Sequence, residues 1–335
     1  MNTTASKIWL AEIWRAWRAS LRRPGFLLLA AGVLTLGIGA SVAVFTLIDQ
    51  VLLQPLPIPE PSRVVVMGPV ESGQVSSGSM SPMRYQHLQR LPGVKSIGIA
   101  FSGPPANIAG GNGTPVVVSA TYIDQGVLPT LGLRPILGRN FNGTETVPQG
   151  PHVALLSHEL WERRFGGNPD ALGQTLQVDG HTTRIIGVLP AAFGALSDFG
   201  ASIVLPFHLL ANSTNDASNQ TAIARLAPGA SAQTVSVEVN ARLHAMYASM
   251  GNTRAARYWS RTRFGVQTLA ESQNASAHGT LVLFMACALF VLLAALVNLA
   301  NLMLLRSLSH AHDSAVRGAL GAPPLRLALP SLAEG

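Results

Sequence analysis

The sequence of 335 residues is poor in charge, in lysine and in cysteine. Only 12% of its residues are charged, whereas ordinary soluble domains carry roughly 25%. The single cysteine, Cys287, lies inside an apolar stretch, so a disulfide framework within the chain is excluded. Lys7 and Lys95 are the only lysines, and arginine therefore carries almost all of the net charge of +7. No basic motif with interleaved aromatic residues is present, which argues against nucleic acid as a partner.

Sequence motifs for catalysis are also missing. The chain has no G-x-x-x-x-G-K-[ST] phosphate loop, so we do not expect it to bind ATP in that manner. His158 and Glu159 are not followed by the second histidine of the H-E-x-x-H zinc motif. We therefore predict that the chain is not an enzyme and that it holds no cofactor and no metal.

Two long uncharged runs indicate the class of protein. Pro24–Ile48 contains 25 residues and Gly279–Leu305 contains 27. A helix rises about 1.5 Å per residue, so each run is longer than the ~30 Å hydrocarbon core of a bilayer. The first run also exceeds the apolar part of a cleaved signal peptide, about 7–15 residues, and no A-x-A-like site closes it. We predict a membrane protein with two transmembrane helices, at residues 24–53 and 279–305.

The basic residues beside these runs predict the orientation. Five of them precede the first run: Lys7, Arg15, Arg18, Arg22 and Arg23. Residues 1–23 also read as an amphipathic helix rich in tryptophan, and the positive-inside rule places this side in the cytoplasm. The arginines at positions 254–263 count against this orientation, but long loops translocate largely regardless of charge. Both termini are therefore predicted to be cytoplasmic, at the inner (plasma) membrane.

Each predicted span has a face suited to contact with another helix. In the first span a stripe of small residues repeats every four positions: Ala31, Thr35, Gly39 and Ala43. In the second span Asn298 and Asn301 share one face. Amides in a membrane usually bond across a helix interface, so we interpret this pair as helix packing, and a substrate path is the alternative. Both faces predict contact with further helices, for example those of a second copy of the chain.

Residues 54–278, between the spans, read as an α+β domain on the far side of the membrane. Seven strands are predicted: Val64–Met67, Val94–Phe101, Pro115–Thr121, Val153–Leu156, Thr182–Leu189, Ser202–Pro206 and Thr221–Leu226. Three helices are predicted after serine caps: from Ser81 to Leu91, from Ser157 to Phe165, and from Ser231 to about Met250. Two segments rich in glycine or serine are predicted as mobile loops: Glu71–Ser79 and Gly103–Gly113.

Segments along most of the chain resemble ABC transporter permeases of the MacB/FtsX type. They are Arg23–Phe26, Leu34–Ala40 and Gln54–Pro57 at the first span, Leu131–Pro135, Leu160–Gly167 and Leu176–Gly180 in the domain, and Asn298–Leu302 with Ala315–Ala322 at the second span and after it. The first span is most similar to the internally duplicated orphan permeases of acidobacteria.

The resemblance implies a non-catalytic permease subunit that couples a cytoplasmic ABC ATPase, which holds the ATP, to a MacB-like periplasmic core domain. It implies membrane lipid, the ATPase and periplasmic or outer-membrane proteins as partners. Residues 306–335 would be a cytoplasmic coupling segment, in which a turn precedes a short helix from Asp313 to Leu320.

In that segment Asp313, where the family has glutamate, and Arg317 would contact the ATPase. Helices 3 and 4 of the family would follow Gly335, so the chain looks truncated after the second span. Two alternatives stay open, namely a membrane-anchored periplasmic adaptor or regulator and a non-functional permease fragment.

Overall fold

The computed structural model describes residues 32, 35, 37–46, 56–111, 113–196, 198–251 and 253–319. The chain divides into two compact units, of which Pro55–Ser276 form one, and Met1–Gln54 with Ala277–Gly335 form the other. The sequence predicts a domain from residue 54 to residue 278, and the corresponding compact unit of the structure extends from Pro55 to Ser276.

The unit at 55–276 is built on a mixed sheet. The strands of the described residues are β1 (Val64–Glu71), β2 (Gln74–Val75), β3 (Val94–Ser102), β4 (Ala106–Gly110), β5 (Gly113–Val118), β6 (Ala120–Ile123), β7 (Leu137–Gly138), β8 (Val153–Leu156), β9 (Thr175–Val178), β10 (His181–Val188), β11 (Ile203–Pro206), β12 (Thr221–Leu226) and β13 (Phe264–Thr268). Their order is β13-β1-β12-β3-β6-β11-β8-β10-β9-β4-β5, with β2 beside β1 and β7 beside β10. The pairs β6–β11 and β8–β10 are parallel. The strands β13 and β5 therefore end the sheet.

The helices differ widely in length. They are α1 (Gly37–Thr46), α2 (Pro82–His87), α3 (Val127–Leu131), α4 (His158–Phe165), α5 (Ala191–Gly194), α6 (Ala232–Ser249), α7 (Arg254–Trp259) and α8 (Leu269–Ala319). The last of these, α8, is a single helix of 51 residues that contributes to both units.

Three serine caps predicted from the sequence are confirmed. The hydroxyls of Ser81, Ser157 and Ser231 each accept a hydrogen bond from the backbone N–H three residues later. Such a cap satisfies one of the free N–H groups in the first turn and stabilises a helix by about 1 kcal/mol. The helices α2, α4 and α6 therefore begin where the sequence predicts.

In strand β1 the apolar residues follow one another without alternating with polar ones. Val64 and Val66 belong to one buried cluster, and Val65 and Met67 belong to another. Because both faces of the strand are covered, every side chain of the run is buried, as in the central strands of covered sheets. Burial of each such side chain stabilises the fold by about 1.5–3 kcal/mol.

Several elements differ from the predictions. The segments Glu71–Ser79 and Gly103–Gly113, predicted as mobile loops, contain β2 and β4. The predicted strand Pro115–Thr121 is two strands, β5 and β6, and the first predicted helix ends at His87 rather than Leu91. Strands β2, β4 and β9 were not predicted. Each is short and pairs with a neighbour in sequence, β2 with β1, β4 with β5 and β9 with β10, and β4 also pairs with the distant β9.

The long helix α8 contains one stretch, Val282–Asn301, that is long and apolar enough to cross a membrane, the one such stretch in the described residues. The turn predicted after the second span is wrong, because α8 continues unbroken to Ala319. No proline or glycine occurs from Arg306 to Arg317, so the sequence has nothing that ends a helix there.

Helix α1 lies within the first predicted span, and most of the rest of that span lies outside the described residues. Its Gly37 is buried against α8, where an added Cβ would lie 3.4 Å from Ala295 Cβ and 3.5 Å from Leu292 Cδ1. Ala295 is buried as well. Small residues on both helices thus allow close approach, as is usual between membrane helices.

The predicted small-residue stripe lies on an exposed side of α1. Thr35, Gly39 and Ala43 are all exposed, and nothing lies within 4 Å of a Cβ added at Gly39. Ala31 lies outside the described residues. The stripe therefore stays a prediction about contact with a helix of another chain.

We expect substitutions at the two glycines to have different effects. Gly39→Leu should reduce assembly of the chain with other copies but leave the α1–α8 contact intact, because nothing in the described residues lies within 4 Å of a Cβ added at Gly39. Gly37→Leu should instead separate α1 from α8. Disulfide cross-linking between copies, and between engineered cysteines on α1 and α8, would measure both effects. Unchanged cross-linking between copies in Gly39→Leu would show that the stripe is not an interface.

Candidate functional site

The junction between the sheet and α8 is the part of the domain through which the apolar stretch of α8 is attached. Strand β13 pairs antiparallel with β1, so Thr268, the last residue of β13, lies opposite Val65, near the start of β1. The chain enters the sheet at β1 after the first predicted span and leaves it at β13 before the second. Both connections therefore lie at the same end of two neighbouring strands.

Helix α6 covers the free edge of β13 with three polar side chains. Val266 N donates to Ser236 Oγ at 2.7 Å, and Phe264 N donates to Asn240 Oδ1 at 2.9 Å. His244 Nε2 lies 2.9 Å from the carbonyl oxygen of Thr262, to which it donates. We call these three side chains, Ser236, Asn240 and His244, the edge ladder.

The edge ladder depends on two matching spacings. Its side chains are four residues apart on α6, a rise of about 6.0 Å, because a helix advances about 1.5 Å per residue. The strand groups that they bond are two residues apart, or about 6.8 Å, because a strand advances about 3.4 Å per residue. Side chains of a helix that runs antiparallel to the strand can therefore form a hydrogen bond with the free backbone group of every second residue along the edge.

Two further contacts fix β13 at its other positions. The side chain of Gln267 accepts from Val75 N at 3.0 Å and donates to Val75 O at 3.1 Å, in the manner of a paired strand. Thr268 Oγ1 accepts from Glu271 N at 3.2 Å, and Glu271 Oε2 accepts from Thr268 N at 3.0 Å. This reciprocal pair is a capping box, so α8 begins directly after β13 with no residue between them.

Sequence reasoning missed this junction. Strand β13 is short, and Gly265 and Gln267 weaken its strand pattern. Two signals were nevertheless present, namely the T-x-x-E pattern of Thr268 and Glu271 and the polar residues at every fourth position of α6. Neither signal identifies β13 without knowledge of which strand lies under α6.

A buried arginine next to the junction ties other parts of the domain together. Arg84 Nε donates to the Tyr247 hydroxyl at 2.6 Å, Nη1 donates to Ser79 O at 3.0 Å, and Nη2 lies 2.9 Å from Asp216 Oδ1. Its guanidinium carbon also lies 3.7 Å from the centroid of the Trp259 ring. Burial raises the pKa of the Tyr247 hydroxyl above its ordinary value. Because a buried charge needs such partners, we interpret Arg84 as a structural residue.

Asp124 is a second buried charged residue. Its carboxylate accepts from the Tyr85 hydroxyl, from Ile99 N at 3.2 Å and from Gly126 N at 2.9 Å. Burial raises the pKa of Asp124 to about 6, although these hydrogen bonds act in the opposite direction. All of these partners belong to the turn between β6 and α3 or to elements packed against it, so Asp124 holds that turn in place.

A cleft of about 330 Å³ lies at the start of α4. Ser157 in its wall caps α4, Ser119 Oγ donates to Ser202 Oγ at 3.3 Å, and His158 lies 3.7 Å from Glu162. Within the described residues His158 has no hydrogen bond to a serine hydroxyl. Nor do the described residues contain a group of three His, Cys, Asp or Glu side chains that could hold a metal ion.

The other site residues predicted from the sequence lie along α8. Asn298 and Asn301 are exposed, and neither amide has a hydrogen-bond partner in the described part of the chain. Asp313 and Arg317 lie in the last turns of α8, where the positions of their side chains are not described.

Comparison with known proteins identifies the class. Residues 27–242 match the model of the MacB-like periplasmic core domain family, which is more than half of the chain. The chain belongs to this family, and the resemblance to MacB/FtsX-type permeases is confirmed. The match ends inside α6, so Ser236 and Asn240 lie within it, whereas His244 and β13 lie beyond it.

Three solved structures illustrate the similarity of this domain to known ones. A domain of a protein described as a permease, from Porphyromonas gingivalis, is 16% identical and covers 63% of this chain and 91% of that one, with a TM-score of 0.47. The periplasmic region of MacB from Actinobacillus actinomycetemcomitans is 12% identical, covers 70% and 97%, and has a TM-score of 0.46. The extracellular domain of the noncanonic ABC-type transporter YknZ from Gram-positive bacteria is 15% identical, covers 61% and 100%, and has a TM-score of 0.43. No protein of curated function matches the chain.

We expect Asn240→Ala to weaken the junction. The substitution leaves the N–H of Phe264 without its acceptor, which costs about 1–3 kcal/mol for a group shielded from water. Hydrogen exchange at Phe264 should then be at least about fivefold faster, because local opening becomes easier. Gln233→Ala, on an exposed part of the same helix, is the matched control and should leave that exchange rate unchanged. Equal protection of Phe264 in both variants would contradict a role for the edge ladder.

Proposed function

We propose that the chain is a non-catalytic permease subunit of an ABC-type transport or mechanotransmission complex. In this proposal a cytoplasmic ATPase moves α8, and α8 moves the periplasmic core domain. The observation that carries the proposal is the unbroken course of α8, which begins at the capping box of Thr268 and continues to Ala319.

The length of α8 supports this role. With 51 residues the helix is roughly 76 Å long at about 1.5 Å per residue, more than twice the ~30 Å hydrocarbon core. Its apolar part, Val282–Asn301, occupies the middle of the helix. An uninterrupted helix transmits displacement along its axis better than two helices joined by a flexible turn.

The attachment of α8 to the domain supports the proposal as well. Strand β13 is bonded to β1 along one edge and to the edge ladder along the other, and Gln267 bonds it to Val75. A displacement of α8 would therefore act on the sheet and on α6 at the same time.

In the proposed topology the protein crosses the inner membrane twice, and both termini lie in the cytoplasm. The excess of lysine and arginine before the first span supports this orientation. The exposed Asn298 and Asn301 support packing against helices of other subunits, because an amide facing lipid without a partner is unfavourable.

The single cysteine makes the topology directly testable. In a Cys287→Ser background, a membrane-impermeant maleimide should label Thr214→Cys in intact spheroplasts, because Thr214 is exposed on the periplasmic domain. His310→Cys should be labelled only after the membrane is opened. The original chain, which keeps Cys287 within the apolar stretch, is a separate sample that should stay unlabelled. Labelling of His310→Cys in intact spheroplasts would rule out the two-span arrangement.

We also expect Arg317 to contribute to contact with the ATPase. Arg317→Glu should weaken co-purification of a co-expressed ABC ATPase, because the reversed charge lies on the cytoplasmic part of α8 in the proposed topology. Arg326→Glu makes the same charge change nearer the C-terminus and should retain the ATPase. Unchanged co-purification together with altered cysteine labelling would show that Arg317 only orients the helix.

A further inference from the structure

One stretch of the domain carries positive charge and no negative charge. Between Glu238 and Glu271 there is no aspartate or glutamate, and five arginines occur there: Arg242, Arg254, Arg257, Arg261 and Arg263. Arg242 is half-buried and donates to the carbonyl oxygens of His87 and Gln89. The other four lie on α7 and on the turn that leads into β13.

These four arginines are exposed, and in the described part of the chain none of them forms an ion pair. Other arginines of the domain do have acidic partners, since Arg63 pairs with Glu60, Arg139 with Glu145 and Arg163 with Glu159. Arg134 and Arg184 are also exposed and form no ion pair in the described part of the chain, but each lies singly, whereas four such arginines occur between Arg254 and Arg263. Tyr258, 64% exposed, lies among the four arginines. We call Arg254, Arg257, Tyr258, Arg261 and Arg263 the arginine surface.

The backbone of the arginine surface is held in place. Thr253 caps α7 by accepting from Ala256 N at 3.1 Å, and Ala256 is buried. The ring of Tyr258 meets the ring of Trp259 edge-on at 4.8 Å, and Trp259 stacks on buried Arg84. The carbonyl of Arg263 accepts from Val70 N at 2.7 Å. A partner would thus meet an ordered surface and would not need to order a flexible segment.

The composition of this surface favours a protein partner. Arginine and tyrosine are enriched among the residues that contribute most to protein–protein binding, and a guanidinium bonds a carboxylate through two parallel hydrogen bonds. Recognition of anionic lipid is instead typical of basic segments next to a membrane span. The arginine surface lies at the Phe264 end of β13, whereas α8 leaves from the Thr268 end.

We propose that the arginine surface is a docking site for a periplasmic protein that presents a cluster of carboxylates. The site is also connected to the junction, because Thr262, between two of its arginines, bonds to His244 of the edge ladder. A docked partner would therefore act on β13 at the end opposite α8. That connection rests on the proposed function of α8, whereas the binding itself does not.

Binding of a defined acidic probe tests the proposal. The full chain is placed in nanodiscs of neutral phosphatidylcholine, and a fluorescein-labelled octaglutamate peptide is titrated at low ionic strength. The peptide should bind, and reversal of all four arginines to glutamate should weaken binding at least about tenfold, which corresponds to about 1.4 kcal/mol. Binding should also weaken with added salt, because exposed charges are screened.

A second set of reversals provides the matched control. Lys95→Glu, Arg134→Glu, Arg163→Glu and Arg184→Glu together make the same change in net charge at other exposed positions. This variant should bind the peptide within about twofold of the original chain, because surface charges far from a site contribute little. Equal loss in both quadruple variants would overturn the proposal, since binding would then follow net charge alone.

A lipid probe separates the remaining alternative. Phosphatidylglycerol vesicles are offered to the immobilised nanodiscs. If the same four arginines retain the vesicles and the peptide does not bind, the surface recognises phosphate groups of a bilayer. That result would overturn the proposal. Each variant is also tested by cysteine labelling. A failure of the two-span topology would leave peptide binding intact, so the two proposals can fail separately.

Discussion

The free edge of β13 is the constraint on which the organisation of the domain depends. A terminal strand has backbone groups that no neighbouring strand satisfies, and groups shielded from water need partners. Here the partners are the side chains of Ser236, Asn240 and His244, while Glu271 satisfies the next free N–H at Thr268. The same contacts that complete the sheet also hold α6 against β13 and start α8. Completion of the sheet and attachment of the long helix are thus one arrangement.

Much of the fold could be predicted where local sequence is sufficient. Val153–Leu156 and Thr221–Leu226 form strands as predicted, because continuous apolar runs with β-branched residues fit a strand buried on both faces. The caps at Ser81, Ser157 and Ser231 could be placed to the residue, since an N-cap acts only on its own first turn. Strands β4 and β9 could not be predicted in this way, because alanine, asparagine, glycine and glutamine weaken their local strand pattern. Each forms a hairpin with the next strand, and the two also pair with each other across about seventy residues of chain.

The candidate site was less accessible to sequence reasoning. The spacing of small residues on α1 is compatible with contact through Gly37 or through Gly39, and only the structure shows that Gly37 faces α8. The course of α8 was misjudged for a different reason. The family resemblance implied a turn after the second span, yet the residues there have good helix propensity and no breaker, and the helix continues to Ala319.

The matched spacings of the edge ladder also limit how the length of this chain could change. Insertion of one residue inside α6 would rotate the following polar side chains by about 100°, away from the strand, and one residue added inside β13 would turn its free groups towards β1. The segment between Ser249 and Phe264 lies outside both elements, so substitution of its exposed side chains changes neither spacing. The arginines at 254–263 belong to that segment. A lineage could therefore alter what this surface binds while the attachment of α8 stays the same.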